Sequence, residues 1–258
     1  MKLKNLIKLL LILIVILLLC GCSAQNVPFP SINIEMQNAQ NPDEVAASIQ
    51  ILLLLTVLSL APSILIMMTS FSRIIIVLSF LRNALGTQQM PPNQVLIGLA
   101  LFLSLFVMTP VFQDINENAY QPYINGEIAY EEALGNASDS IKEFMLGQIM
   151  DKKRDKDLAF FINLSGVETP AGMENLVKLP LSTIVPAFLI SELTIAFKIG
   201  FLIYIPFLVV DMIIASTLMS MGMMMLPPIL ISLPFKILLF IVVDGWNLVV
   251  QALVGSFT

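Results

Sequence analysis

From Ser191 to Trp246 the chain is apolar enough to sit in a bilayer, yet it carries Glu192, Lys198, Asp211, Lys236 and Asp244. Each ionisable residue placed centrally in lipid costs roughly 2.5 to 3.5 kcal/mol. Such residues therefore call for a protein-lined environment, where charges pair or face water. A plain lipid-facing hairpin has no use for them. The same stretch holds Pro206, Pro227, Pro228 and Pro234, and a cluster of methionines at Met219, Met221, Met223, Met224 and Met225.

The remainder of the chain agrees with a membrane setting. Hydrophobic residues make up 57% of its 258 residues and charged ones only 12%, about half the usual share for a soluble domain. The net charge of -5 gives no reason to expect nucleic acid. There is no histidine, which removes His-based metal sites and Ser-His or Cys-His catalysis. No phosphate-cradling GxxxxGK[ST] loop is present. The composition therefore predicts an integral membrane protein; an all-α chain with no catalytic residues, metal or other cofactor is the expectation.

Residues 1–24 read as a secretory signal, with Lys2, Lys4 and Lys8 before a short apolar core from Leu9 to Leu19. Two processing routes fit the ending LCGCSAQ: a lipoprotein-type box that would lipidate Cys22, or cleavage after Ala24. An uncleaved anchor helix is the third reading. Residues 25–45 form a polar linker, with Asn41 and Pro42 at the start of the next helix. Residues 46–112 read as a first apolar helical hairpin, built on the runs Ser48–Met68 and Val95–Val111, each near the roughly 20 residues a span requires. Residues 113–183 are a polar, helical, non-cytoplasmic region, in which Ile141, Phe144, Met145 and Ile149 recur at helical spacing. Residues 184–258 form the second apolar hairpin. About four long apolar helical elements and a polar helical middle result, although hydropathy does not require all four to cross lipid.

Several residues carry two readings each. Arg82 flanks a short connection, as the positive-inside rule expects of a cytoplasmic loop. Arg73 lies deeper in the apolar run, so a buried partner such as Asp211 or Asp244 is expected. Glu192 and Lys198 are six apart and do not face each other on one helix, so each is expected to pair with another helix or another subunit. Asp211 and Asp244 also raise an intramembrane aspartyl-protease dyad, but the contexts LVVDMI and IVVDGW lack the glycine-flanked pattern of such sites. Met223, Met224 and Met225 are packing residues on the plain reading. Gly222 before them and Pro227-Pro228 after them instead predict a helix break, which at membrane depth is tolerated where protein or an aqueous cavity surrounds it.

These pieces resemble the FliP family in order as well as in content: SF-x-RIIIVLSFLRNALGTQQ in the first half, then SEL-x3-F-x-IGF, IPFLVVDM, LM-x2-GMMM-x-PP, ISLPFK and VVDGW. Residues 1–45 fall outside the resemblance, and residues 113–140 match least. The resemblance implies helical hairpins that wind into a ring or helical export gate, lifted partly out of the membrane plane. It implies a homo-oligomer, a pentamer, joined by FliQ-like and FliR-like membrane subunits and other export-apparatus proteins. Unfolded flagellar proteins would pass through it across the inner membrane at the flagellar basal body. It also implies that Met223, Met224 and Met225 form a pore gasket, and that Arg73, Arg82, Glu192, Lys198, Asp211, Lys236 and Asp244 make buried charge or assembly contacts. A virulence-type secretion homologue shares the same blocks. A secondary transporter with broken, charged helices is the reading from another class.

Overall fold

The computed structural model describes residues 42–87, 90–167, 173–223 and 226–257. The expected signal with Cys22, and also Met224 and Met225, lie outside the described residues. The chain divides into two compact units, Met1–Leu55 and Thr56–Thr258. Of the first, the described part is the opening of helix α1, Pro42–Met68. Proline suits a first helical turn, where its missing N–H is no loss. Leu52 and Leu58 of α1 are 64% and 66% exposed.

The second unit is helical, with no strand among its described residues. Its elements are α2 (Phe71–Leu85), α3 (Asn93–Ile115), the short α4 (Gln121–Ile124), α5 (Tyr130–Asp151), α6 (Asp155–Ser165), the single turn α7 (Met173–Leu176), α8 (Leu181–Ser220), α9 (Pro228–Val242) and α10 (Gly245–Val254). A π-helical turn, Asn116–Tyr120, joins α3 to α4. The stretch read from sequence as a continuation of the first apolar run is a helix of its own. The chain breaks at Thr69–Ser70, and α2 then turns into the interior.

Helix α8 organises the unit. Its buried residues Ile184, Ala187, Phe188, Ser191, Glu192, Ile195, Ala196 and Gly200 recur at three- and four-residue steps, the stripe that one face of a helix produces. The first half of that stripe enters a core with Met145, Leu146 and Ile149 of α5, and Leu158 and Ile162 of α6. The second half enters another core with Ile74, Val77, Leu78 and Leu81 of α2, Leu96 and Ala100 of α3, and Phe240 of α9. Helix α2 packs on α8 more extensively than any other pair. Gly200 permits this approach, because a Cβ there would lie 2.6 Å from the ring of Phe80.

Two described helical stretches are long and apolar enough to cross a bilayer, Asn93–Ile124 and Leu181–Ser220. The pair α9 and α10, bent by 65° at Asp244, adds a third if it is one span. With 40 residues, α8 rises about 60 Å, roughly twice the ~30 Å hydrocarbon core. One end of α8 must therefore extend beyond the lipid tails, and the polar helices α5 and α6 pack around its first half. The chain is an all-α membrane protein.

Candidate functional site

Arg73 is a fully buried charge, as is its partner Glu192. The Arg73 side chain, on α2, sits where the two cores meet, and five hydrogen bonds satisfy it. Nε donates to Glu192 Oε2 of α8 at 2.8 Å, and Nη2 forms a short ion pair with Oε1 of the same carboxylate. Nη2 also donates to Gln148 Oε1 of α5 at 3.1 Å. Nη1 donates to the backbone oxygen of Ser256 at 2.7 Å and to its hydroxyl at 3.0 Å. A guanidinium has five N–H donors in a fixed fork, so none is left over. The Phe257 ring lies over the guanidinium carbon at 3.8 Å, and Gln148 Nε2 donates to the Phe257 carbonyl at 3.0 Å. Helices α2, α5, α8 and the turn after α10 are thus tied at one point.

The carboxylate of Arg73 is Glu192, not Asp211 or Asp244 as the sequence suggested. Asp211 has its own cation: Lys236 Nζ of α9 stands 2.6 Å from Oδ2, and the Ser232 hydroxyl donates to Oδ1 at 2.5 Å. Lys236 is almost fully buried, whereas the Asp211 side chain keeps 27% exposure. The Asp211 arrangement also weakens the protease reading. A catalytic dyad needs two carboxyls close enough to share a proton. Here Asp211 is held by a cation and a hydroxyl, and no hydrogen bond joins it to Asp244 among the described residues. Eight residues separate Lys236 from Asp244, about 12 Å of helical rise.

The remaining charges differ in setting. Arg82, in the last turn of α2, makes a short hydrogen bond to Asn93 Oδ1 at the start of α3, and its charge also suits a helix C-terminus. Lys198 is exposed on α8, and Asp244 is exposed at the bend between α9 and α10. Asp244 has φ +51°, a left-handed conformation that aspartate tolerates better than most residues. Gly245 beside it is required by space, since a Cβ would fall 2.1 Å from the Phe240 ring.

The methionine turn follows from local chemistry. Gly222 adopts φ +76°. Its N–H donates to Met219 O at 3.0 Å, and the Met223 N–H donates to Leu218 O at 3.0 Å. These two bonds make the Schellman ending, which satisfies the last carbonyls of a helix and turns the chain. Pro227 is extended and Pro228 opens α9, the position where proline is best tolerated. The break predicted from Gly222 and Pro227-Pro228 is therefore present. Met219, Met221 and Met223 are 62%, 71% and 44% exposed around it.

Sequence reasoning missed Gln148, Ser256 and Phe257 as partners of Arg73. One signal was available for Gln148. It sits between Met145 and Ile149 on the apolar face of α5, where an amide needs a buried partner.

The FliP family model matches residues 54–253. The chain is 56% identical over 224 residues to the flagellar biosynthetic protein FliP of Bacillus subtilis, covering 87% of this chain and 98% of that protein. It is 53% identical over 209 residues to the protein of the same name from Caulobacter vibrioides, covering 81% and 76% of the two chains. With the FliP of Treponema pallidum it shares 46% identity over 234 residues, 91% of this chain and 84% of that one. The order of the sequence blocks, the broken apolar hairpin and these similarities agree: the chain belongs to the FliP family.

Proposed function

We propose that this chain is a core subunit of the flagellar type III protein export gate in the bacterial inner membrane, at the flagellar basal body. Several copies, a pentamer, assemble with FliQ-like and FliR-like membrane subunits into the pore through which unfolded flagellar proteins leave the cytoplasm. Other export-apparatus proteins and the proton-motive force supply the drive. The relatives named above are all flagellar, which favours this reading over a virulence-type system.

The observation that carries the pore is the methionine turn. Gly222 ends α8 and Pro227-Pro228 open α9, and the described methionines Met219, Met221 and Met223 are exposed beside that break. Exposed methionine beside a helix break is a soft apolar surface. Copies arranged around an axis would bring Met223, Met224 and Met225 together as a gasket. Such a ring excludes water and ions at rest and yields to an extended polypeptide. Leucine or phenylalanine would close more stiffly, and polar side chains would wet the pore.

Changing Met223, Met224 and Met225 together to alanine is expected to raise ion leakage through the assembled gate several-fold, because the ring widens without becoming polar. The check is membrane conductance in cells that carry the partner subunits, with secretion of flagellar protein followed in parallel. Unchanged leakage and unchanged secretion would remove the gasket.

A further inference from the structure

Once Arg73 is paired with Glu192 and Lys236 with Asp211, the apolar third retains one cation and one carboxylate. Among the described residues, neither the Lys198 nor the Asp244 side chain has an ion pair or hydrogen bond, and both are exposed. Lys198 lies off the packed stripe of α8, on an open face of that helix beside Ile190, Leu193, Thr194, Phe197 and Phe201. An ammonium among such apolar residues calls for an anion that this chain does not bring to it.

Asp244 stands at a nearby depth on the other arm of the hairpin. Ile203 of α8 lines one groove together with Val243 and Gly245, which puts Asp244 level with Ile203. Lys198 is five residues from Ile203, about 7.5 Å along the helix and ~140° around it. The two charges are therefore offset by about 7.5 Å along the hairpin and belong to different sides of it. A second copy placed beside the first, head to tail, brings one such side against the other, and the contact repeats from copy to copy. Trp246, two residues beyond Asp244 and 40% exposed, supplies an aromatic body for that apolar face, the kind of anchor that interfaces favour.

We propose that Lys198 of one copy pairs with Asp244 of the neighbouring copy, with the open apolar face beside Lys198 packing on the α9–α10 bend. The export-gate reading enters only in requiring copies of the chain side by side.

The test uses full-length chains co-expressed with the partner membrane subunits. One tagged chain carries Lys198→Cys and a differently tagged chain carries Asp244→Cys, and oxidation follows membrane isolation. A disulfide-linked dimer bearing both tags is expected from the mixture, and none above background from either variant beside the unaltered chain. A milder pair, Lys198→Ala and Asp244→Asn, is compared by the temperature at which the multimer falls apart. If the two residues act as one contact, the double variant loses no more than the worse single variant. A multimer that forms without mixed dimers, with additive losses, would overturn the inference. It would assign Lys198 to a lipid phosphate or another subunit and leave the export-gate reading standing. An unaltered chain that forms no multimer would overturn both.

Discussion

Glu192→Ala is expected to destabilise the folded protein by about 3 to 5 kcal/mol, the cost of leaving one partner of a buried ion pair uncompensated. Arg73 is fully buried, so water cannot replace the lost carboxylate. The Ser256 and Gln148 oxygens still accept their bonds, but they carry no charge to offset the guanidinium. The pair holds α2 against α8 at the junction of the two cores, so the loss spreads to both. Replacing both residues, as Arg73→Met with Glu192→Leu, removes the uncompensated charge and is expected to restore much of the stability. Thermal unfolding in detergent, with the amount of membrane-inserted protein as a second readout, checks both statements. A Glu192→Ala protein as stable as the parent would show that the ion pair does not hold the cores together.

Asp211→Ala should have the next largest effect, about 2 to 3 kcal/mol, smaller because the carboxylate keeps part of its exposure while Lys236 is buried. Here the damage is local. Lys236 and Ser232 both sit on α9 and both reach across to Asp211, so the change loosens α9 from α8 and leaves the core around α5 and α6 intact. The methionine turn lies between those two helices, and its position depends on their register. Asp211→Ala is therefore expected to lower export more than it lowers the amount of folded protein. Exchanging the charges, Asp211→Lys with Lys236→Asp, is expected to recover part of the loss. The comparison is secreted flagellar protein per unit of membrane-inserted chain. Equal loss of both quantities would mean that Asp211 serves folding alone.

The parts of this structure that were legible in the sequence are those fixed by neighbours in the chain. Gly222 and Pro227-Pro228 determine a helix stop and a helix start without help from elsewhere, and the break appears where they put it. Met145 and Ile149 form a buried face because helical periodicity is a local property. The partner of Arg73 was not legible in this way. Glu192 is 119 positions away, and no periodicity carries pairing over that distance. The partner of Asp211 was within reach. Asp211 and Lys236 lie nearly equidistant from the turn, as do Phe207 and Phe240, whose ring centroids are 6.3 Å apart. An antiparallel hairpin folded at the methionine turn requires that register. The independence of α2 was hidden because its apolar run continues that of α1 in composition. Its separate course depends on the break at Thr69–Ser70 and on the core that receives it.

The exposed apolar surface on α8 and α9 bears on assembly as well as on the membrane. Leu202 and Ile241 are 65% and 68% exposed, more than a soluble monomer would leave in contiguous patches. Lipid or neighbouring subunits must cover them, and the length of α8 means that lipid tails cannot cover it all.

Whether the chain assembles into a gate is answered by native mass spectrometry of the detergent-extracted protein, expressed with and without the FliQ-like and FliR-like subunits. A discrete multimer of this chain that takes up the small membrane subunits when they are present is expected. A stable monomer or dimer under both conditions would contradict assembly into a gate, because no ring would then exist in which the methionine turns could meet.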